Sequence, residues 1–276
     1  MVSAFLLGAF TLTHAPAPAH AQGADALVKQ MLAAEAKARY SGTLFIVRNG
    51  QRETATVWRD GNKRRWEWTA PALKKGDVLV DNGSNLYLYH RSENRVTQTQ
   101  STPFMSDLGG GWNVSKSGGD ALLTRGKQKL AIDGARKILL RFENDGAVYA
   151  LQNLKFGAQP ASKFSFQTPA GAKVTRSKGK LFVDIASARA SVNWLQAPSQ
   201  LPTGFALESA IAASDEVWLR YSDGKRRFSL FEQRAEAGTV APTKVDGGYF
   251  WKNGGIRYLA SGVSSGTAKS LAGSLK

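Results

Sequence analysis

VLVDNGSNLYLYHRSENRVTQ, residues 78–98, is the stretch on which the fold turns. Turn chemistry at Asn82-Gly83-Ser84 and Ser92-Glu93-Asn94 divides it into three short strands, 78–81, 86–91 and 96–98. In the middle strand the period-2 rule places Leu86, Leu88 and His90 on one face and Tyr87, Tyr89 and Arg91 on the other. Its centre is therefore apolar on both faces, whereas an antiparallel sheet at a protein surface needs only one apolar face. Each face is expected to be covered, by packed helices or by an apolar ligand.

The pattern continues upstream. Strands at 43–48, 53–59 and 63–69 are separated by Asn49-Gly50, a strong hairpin signal, and by Asp60-Gly61-Asn62. With 78–98 they make an antiparallel meander of about six strands. Arg64, Trp66 and Trp68 share one face of their strand, as Thr54, Thr56 and Trp58 share one face of its partner. Ahead of them, Leu27, Met31, Ala34 and Ala38 recur at helical spacing, predicting a helix over 25–39, capped by Asp25 and supported by Glu35 four residues before Arg39.

Downstream, 101–125 lacks alternation. Its apolar residues, Phe104, Met105, Leu108 and Trp112, sit among Gly109-Gly110-Gly111 and Gly118-Gly119, which predicts a short helix or a flap. No Lys-Ser/Thr follows a glycine at phosphate-loop spacing. Strands return at 127–132, 137–143, 148–156 and 163–167. The basic run from Gly171 through Lys173, Arg176 and Lys178 to Lys180 reads as a linker. Beyond it come a helix over 184–192 capped by Asp184, strands at 205–211, 216–222, 226–234, 248–251 and 255–262, and a last helix capped by Ser264 or Ser265. The organisation expected is a leader (1–21), a first domain (22–175), a linker and entry segment (176–200) and a second domain (201–276).

The leader combines an apolar core, AFLLGAFTL at 4–12, with Pro16, Pro18 and the small-residue pattern Ala19-His20-Ala21, although no Lys or Arg precedes the core. The 276 residues carry no cysteine and a net charge of +16. An exported, periplasmic or otherwise extracytoplasmic chain without a lipid-anchored cysteine is expected. Its positive field suits anionic membrane surfaces, acidic envelope polymers or an acidic protein segment, and export argues against nucleic acid.

Little of the sequence suggests catalysis. With His14 and His20 in the leader, His90 is the single histidine of the remainder, so the usual zinc ligand sets are missing and no metal or cofactor is expected. A Ser-His-Asp triad would have to use His90, and its place on an alternating strand favours a packed sheet histidine. Asp215-Glu216 and Glu232 with Glu236 read as solvated acids near turns. Two sets of residues stand out for binding. Lys63-Arg64-Arg65 and Lys225-Arg226-Arg227, like Lys74-Lys75, are either solvated hairpin ends or a docking surface for an anionic partner. Trp58, Trp66, Trp68, Tyr87 and Tyr89 are either core beneath a helix or the lining of an apolar cavity.

Several of these motifs resemble a family. Tyr40-Ser41-Gly42-Thr43 after a helix, the run DNGSNLYLYHRSENRVTQ, and SKFSFQTPAGAKV at 162–174 are similar to the N-terminal fold of the lipoprotein carrier LolA and of the sigma-E regulators MucB/RseB. Leu201-Pro202, Gly204-Phe205, Arg220-Tyr221-Ser222-Asp223-Gly224, Phe228-Ser229-Leu230-Phe231 and the closing GVSSGTAKSLAGSL resemble the C-terminal domain of MucB/RseB, which LolA lacks. The resemblance implies a mainly β, α+β protein: a curved antiparallel half-barrel with helices on its concave face and room for acyl chains, plus a smaller sheet-and-helix domain. It implies a regulatory protein that binds the extracytoplasmic part of an anti-sigma factor and responds to lipid or lipoprotein acyl chains, or a LolA-like lipid or lipoprotein carrier with no signalling role. The high positive charge and the glycine-rich 109–119 depart from the pattern. The family offers no short catalytic motif to carry over.

Overall fold

The computed structural model describes residues 19–102, 108–117, 119–144 and 146–275. Helix α1 (Ala19–Glu35) leads into a hairpin of β1 (Arg39–Arg48) and β2 (Gln51–Asp60). Asn49 and Gly50 both take positive φ there, the backbone that a two-residue hairpin loop requires. The chain runs on through β3 (Lys63–Ala70), β4 (Val78–Asp81), β5 (Asn85–His90) and β6 (Arg95–Gln100), all antiparallel, so the opening stretch supplies three consecutive strands of the expected meander. A second meander, β7 (Asn113–Ser117), β8 (Asp120–Arg125), β9 (Gln128–Ile132), β10 (Leu139–Asn144) and β11 (Ala147–Phe156), joins the first where β11 pairs with β1. Strand β12 (Lys173–Arg176) lies parallel to β6 at the far edge. The result is a curved, open twelve-stranded sheet in the order β12-β6-β5-β4-β3-β2-β1-β11-β10-β9-β8-β7.

Residues 177–179 are the one covalent link to the second sheet. It contains β13 (Lys180–Phe182), β14 (Ala206–Ala212), β15 (Glu216–Ser222), β16 (Arg227–Arg234), β17 (Val240–Val245), β18 (Gly248–Asn253) and β19 (Ile256–Ser261), in the order β13-β14-β15-β16-β19-β18-β17. Helix α2 (Ile185–Ser191) is capped by Asp184, which accepts from the Ser187 amide, and α3 (Ser265–Ser274) by Ser264, which accepts from the Thr267 amide. The α+β class with two sheets is as the sequence predicts.

The first core lies on one face of the large sheet. Leu44, Ile46, Val57, Leu79, Leu86 and Leu88 point to it, and Ala24, Val28 and Met31 of α1 cover part of it. We call this the inner face. The second core joins Leu219, Tyr221, Leu230 and Trp251 to Leu271 of α3.

Several elements differ from expectation, each for a local reason. Helix α1 starts before Asp25 and stops at Glu35, because Arg39 already belongs to β1 and pairs with Asp60 of β2 at 2.8 Å. Asp25 is therefore no cap; its carboxylate accepts from the amides of Gly111 and Trp112. Glu35 pairs with Arg59 at 2.7 Å and accepts from the Leu139 amide, not with Arg39. Asn113–Ser117 and Asp120–Arg125 are no flap but paired strands that extend the sheet, anchored by a fully buried Trp112, while Phe104 and Met105 lie outside the described residues. Residues 163–167 form no strand; a 3-10 turn (Ala161–Phe164) lies against β3 instead. The basic run at 173–180 is strand-paired at both ends, through β12 and β13, and β17 was not foreseen. Most of the leader expected at 1–21 falls outside the described residues.

Candidate functional site

Two pockets open on the inner face, on either side of Trp66. The first encloses about 520 Å³, part of it open to solvent, where the end of α1 meets the sheet. Leu44, Val57, Trp66, Leu139, Tyr149 and Leu151 make its apolar walls, and Glu35, Arg59 and Arg64 its polar part. The second, of about 440 Å³, lies between the two sheets. Trp66, Trp68, Leu79 and Leu88 from the first sheet meet Leu181 and Val183 from the entry to the second, above a floor containing Arg48, Lys74, Asp77, His90 and Glu208.

This geometry divides the five aromatic residues singled out from sequence. Trp66 and Trp68 sit edge to face on the inner side, ring centroids 5.8 Å apart. Cross-strand register puts Trp58 opposite Arg65, on the other face from the Val57 and Trp66 pair. Although Trp58 touches the first pocket from its strand, its ring carries Lys163 Nζ at 4.0 Å on the outer side. Tyr87 and Tyr89 are also outer-face residues: Tyr87 stacks on Phe166 at 4.9 Å and the Tyr89 hydroxyl donates to Asn94. A single cavity lined by all five is therefore corrected to two faces. Tyr87 and Trp58 are covered by the chain at 163–166, and only the tryptophans of β3 face the pockets with their rings.

The basic clusters divide similarly. Lys63, Lys225 and Arg226 are exposed, with Arg226 paired to Asp223 at 2.8 Å. Arg65 bonds Glu67 and the Lys163 carbonyl. Arg64 and Arg227 do not present their charges to solvent: Arg64 is buried against Asp81 at 3.2 Å, and the Arg227 side chain, 6% exposed, lies between Asp77 (2.5 Å) and Glu208 (3.0 Å). Strand alternation explains this for Arg64, the middle of three successive cations on β3, whereas Lys225 and Arg226 belong to the turn before β16 and Arg227 is that strand's first residue. Arg64 and Arg227 are therefore not part of an exposed docking surface.

Arg227 belongs to the main polar feature of the molecule, a buried network joining the sheets. Glu53 of β2 takes Arg48 at 2.6 Å, Lys74 at 2.8 Å and the Trp68 indole N–H at 3.1 Å. Lys74 also reaches Glu208 of β14 at 2.7 Å, and Arg220 of β15 pairs with Glu93. His90 Nδ1 lies 3.2 Å from Asp77 Oδ2. Three carboxylates with buried side chains, Glu53, Asp77 and Glu208, thus face Arg48, Lys74 and Arg227, while the exposed Glu93 takes Arg220 at the margin of the network. Burial pushes the acids up, but their partners prevail: Arg48 and Lys74 hold Glu53 below the usual carboxylate range, His90 and Arg227 hold Asp77 below it, and Lys74 and Arg227 hold Glu208 well below it. Burial lowers His90 to about 4, so it is neutral at neutral pH.

Asp77, His90 and Glu208 bring their ligand atoms within 4.8 Å of one another. Their carboxylates already serve Lys74 and Arg227, so a divalent ion there would meet cations rather than free ligands. The Asp77–His90 pair has the orientation of a triad's acid and base, yet His90 Nε2 has no hydroxyl within hydrogen-bond reach among the described residues. Sequence reading missed this network because its members, from Arg48 to Arg227, are scattered and no spacing links them. The one signal was an isolated histidine on an otherwise apolar strand face.

No family model and no curated protein matches the chain. Among solved structures it resembles MucB along most of its length: 19% identical, covering 92% of this chain and 98% of that one, TM-score 0.44. A MucA/MucB complex from Pseudomonas aeruginosa is 18% identical over 92% and 98%, TM-score 0.40. A LolA superfamily protein from Nitrosomonas europaea is 10% identical over 52% and 97%, TM-score 0.31. Among the described residues no helix is long and apolar enough to cross a membrane.

Proposed function

We propose that this chain is an exported binding protein of the cell envelope, with a leader at 1–21, whose first sheet holds an acyl chain of a lipid or lipoprotein and whose two domains together dock the extracytoplasmic part of an anti-sigma factor. The observation that carries the ligand half is the largely apolar pocket at the end of α1, bounded by Glu35 of the helix and by Leu44, Val57, Trp66 and Leu151 of the sheet. Each CH2 buried there contributes about 0.8 kcal/mol. The partner half rests on the sequence motifs of both domains and on the basic surface, which suits acidic partners and anionic membranes. Ligand binding shifts partner affinity only if the ligand prefers one inter-sheet arrangement over another. The reading has no catalytic step.

Native mass spectrometry of protein purified without detergent tests the ligand half: a retained acyl mass is expected, and an apo mass with no uptake of added lipid overturns it. Capture of a purified anti-sigma extracytoplasmic segment, weakened by lipid, is expected for the regulator. Lipid binding without any such capture leaves a carrier.

A further inference from the structure

The pocket between the sheets has a floor whose chemistry the pocket beside α1 does not share. Asp77 Oδ2 takes Arg227 at 2.5 Å and Oδ1 takes the Arg91 amide at 2.9 Å, so this carboxylate is ionised and only accepts. The proton of neutral His90 therefore sits on Nδ1, facing Asp77, and Nε2 presents a bare lone pair. His90 is 2% exposed, and Nε2 has no hydrogen-bond partner among the described residues. A buried acceptor left without a donor is costly, which favours any occupant that brings one. The charges sharing the pocket cancel, Arg48 and Lys74 against Asp77 and Glu208, so a full charge on an occupant would find no spare counter-ion. Trp66, Leu79 and Leu88 on one side and Leu181 and Val183 on the other provide an apolar sleeve.

We propose that the inter-sheet pocket binds a neutral amphiphile, an apolar chain whose alcohol or amide head donates a hydrogen bond to His90 Nε2. This rests on reading the chain as a binder of apolar molecules, and adds to it a second subsite and the uncharged head group that subsite selects. Because the walls come from both sheets, the occupant also bridges them.

The test titrates the full chain with 1-decanol, its methyl ether and decanoate, following heat and the 15N resonances of the histidine rings. The alcohol is expected to bind about fivefold more tightly than the ether, which keeps the chain but loses the donor, and more tightly than decanoate. It should also move the His90 Nε2 resonance. In His90→Phe, alcohol and ether should bind alike; if that variant does not fold, the ligand pair on the unaltered chain still decides. Equal affinity for alcohol and ether, tighter binding of decanoate, an unmoved Nε2 resonance, or no binding of the alcohol, water alone then serving the acceptor, each overturns the proposal. Ser209→Phe narrows this pocket and Leu151→Phe the one beside α1. Alcohol binding that survives Ser209→Phe but not Leu151→Phe sinks the inter-sheet assignment and leaves the apolar-binder reading intact; failure of all three compounds to bind removes both.

Discussion

Glu232 behaves oppositely to the acids of the buried network. It is fully buried in β16, accepts from the Gln196 amide, and burial pushes it up from 4.5 to about 8. Because it stays protonated in the folded chain while an exposed glutamate ionises near 4.5, its contribution is complete below pH 4.5 and is lost as pH rises through about 8. Denaturant unfolding at pH 5 and pH 9 should show Glu232→Gln gaining ~2–4 kcal/mol over the unaltered chain at pH 9 and little at pH 5. Equal stability at both values would count against the assignment. Glu35 gives the second residue-scale expectation: Glu35→Ala strips a partner from Arg59 and from the Leu139 amide, and should cost about 1–3 kcal/mol in the same measurement. Neither role was legible beforehand. Glu232 looks like a turn acid in sequence, and Glu35 sits where a helical pair with Arg39 is the obvious reading.

At the scale of elements the sequence was informative wherever alternation and turn residues coincide. Strands β4 to β6 and β15 stand close to where the pattern places them, and Asp184 and Ser264 cap their helices as expected. The failures are polar strands. Asn113–Ser117, Lys173–Arg176 and Val240–Val245 lie at sheet edges, where one neighbour suffices and no apolar face is required, so period-2 hydrophobicity is absent. Ser165 and Phe166 show the converse: an alternating Phe-Ser-Phe laid flat across the outer face to cover Tyr87. Trp112 pins the β7–β8 hairpin, fully buried, with its indole N–H donating to the Leu108 carbonyl. Trp112→Ala should cost about 3–5 kcal/mol and raise hydrogen exchange across 113–125 far more than in the second sheet. Uniform protection of that hairpin in the variant would argue against this anchor.

On the scale of the whole molecule, the two sheets meet through ions as well as apolar walls, and that contact has a pH of its own. An unfolded imidazole protonates below about 6.5, whereas buried His90 resists to about 4. The contact is therefore complete above pH 6.5 and weakens as pH falls through about 4; the lowered acids Glu53, Asp77 and Glu208 pull the same way. Exchange of the Arg91 amide, which donates to Asp77, should slow less between pH 7 and pH 4 than base-catalysed intrinsic exchange does, while the second core keeps its protection. Arg227→Met, which leaves Asp77 and Glu208 short of a cation, should cost about 3–5 kcal/mol and enlarge the radius measured by X-ray scattering; an unchanged radius and stability would refute the role given to this arginine. The link at 177–179 sets what such loosening can become. Three residues hold the sheets at a local concentration in the millimolar range or above, and Ser177 and Gly179 are themselves bonded to Gln98 and Thr99 of β6. The halves cannot drift apart and search for each other again; they can only rock on a leash. Re-closure is then a unimolecular event that dilution does not slow, and any partner that wedges the sheets open must outcompete a neighbour that never leaves.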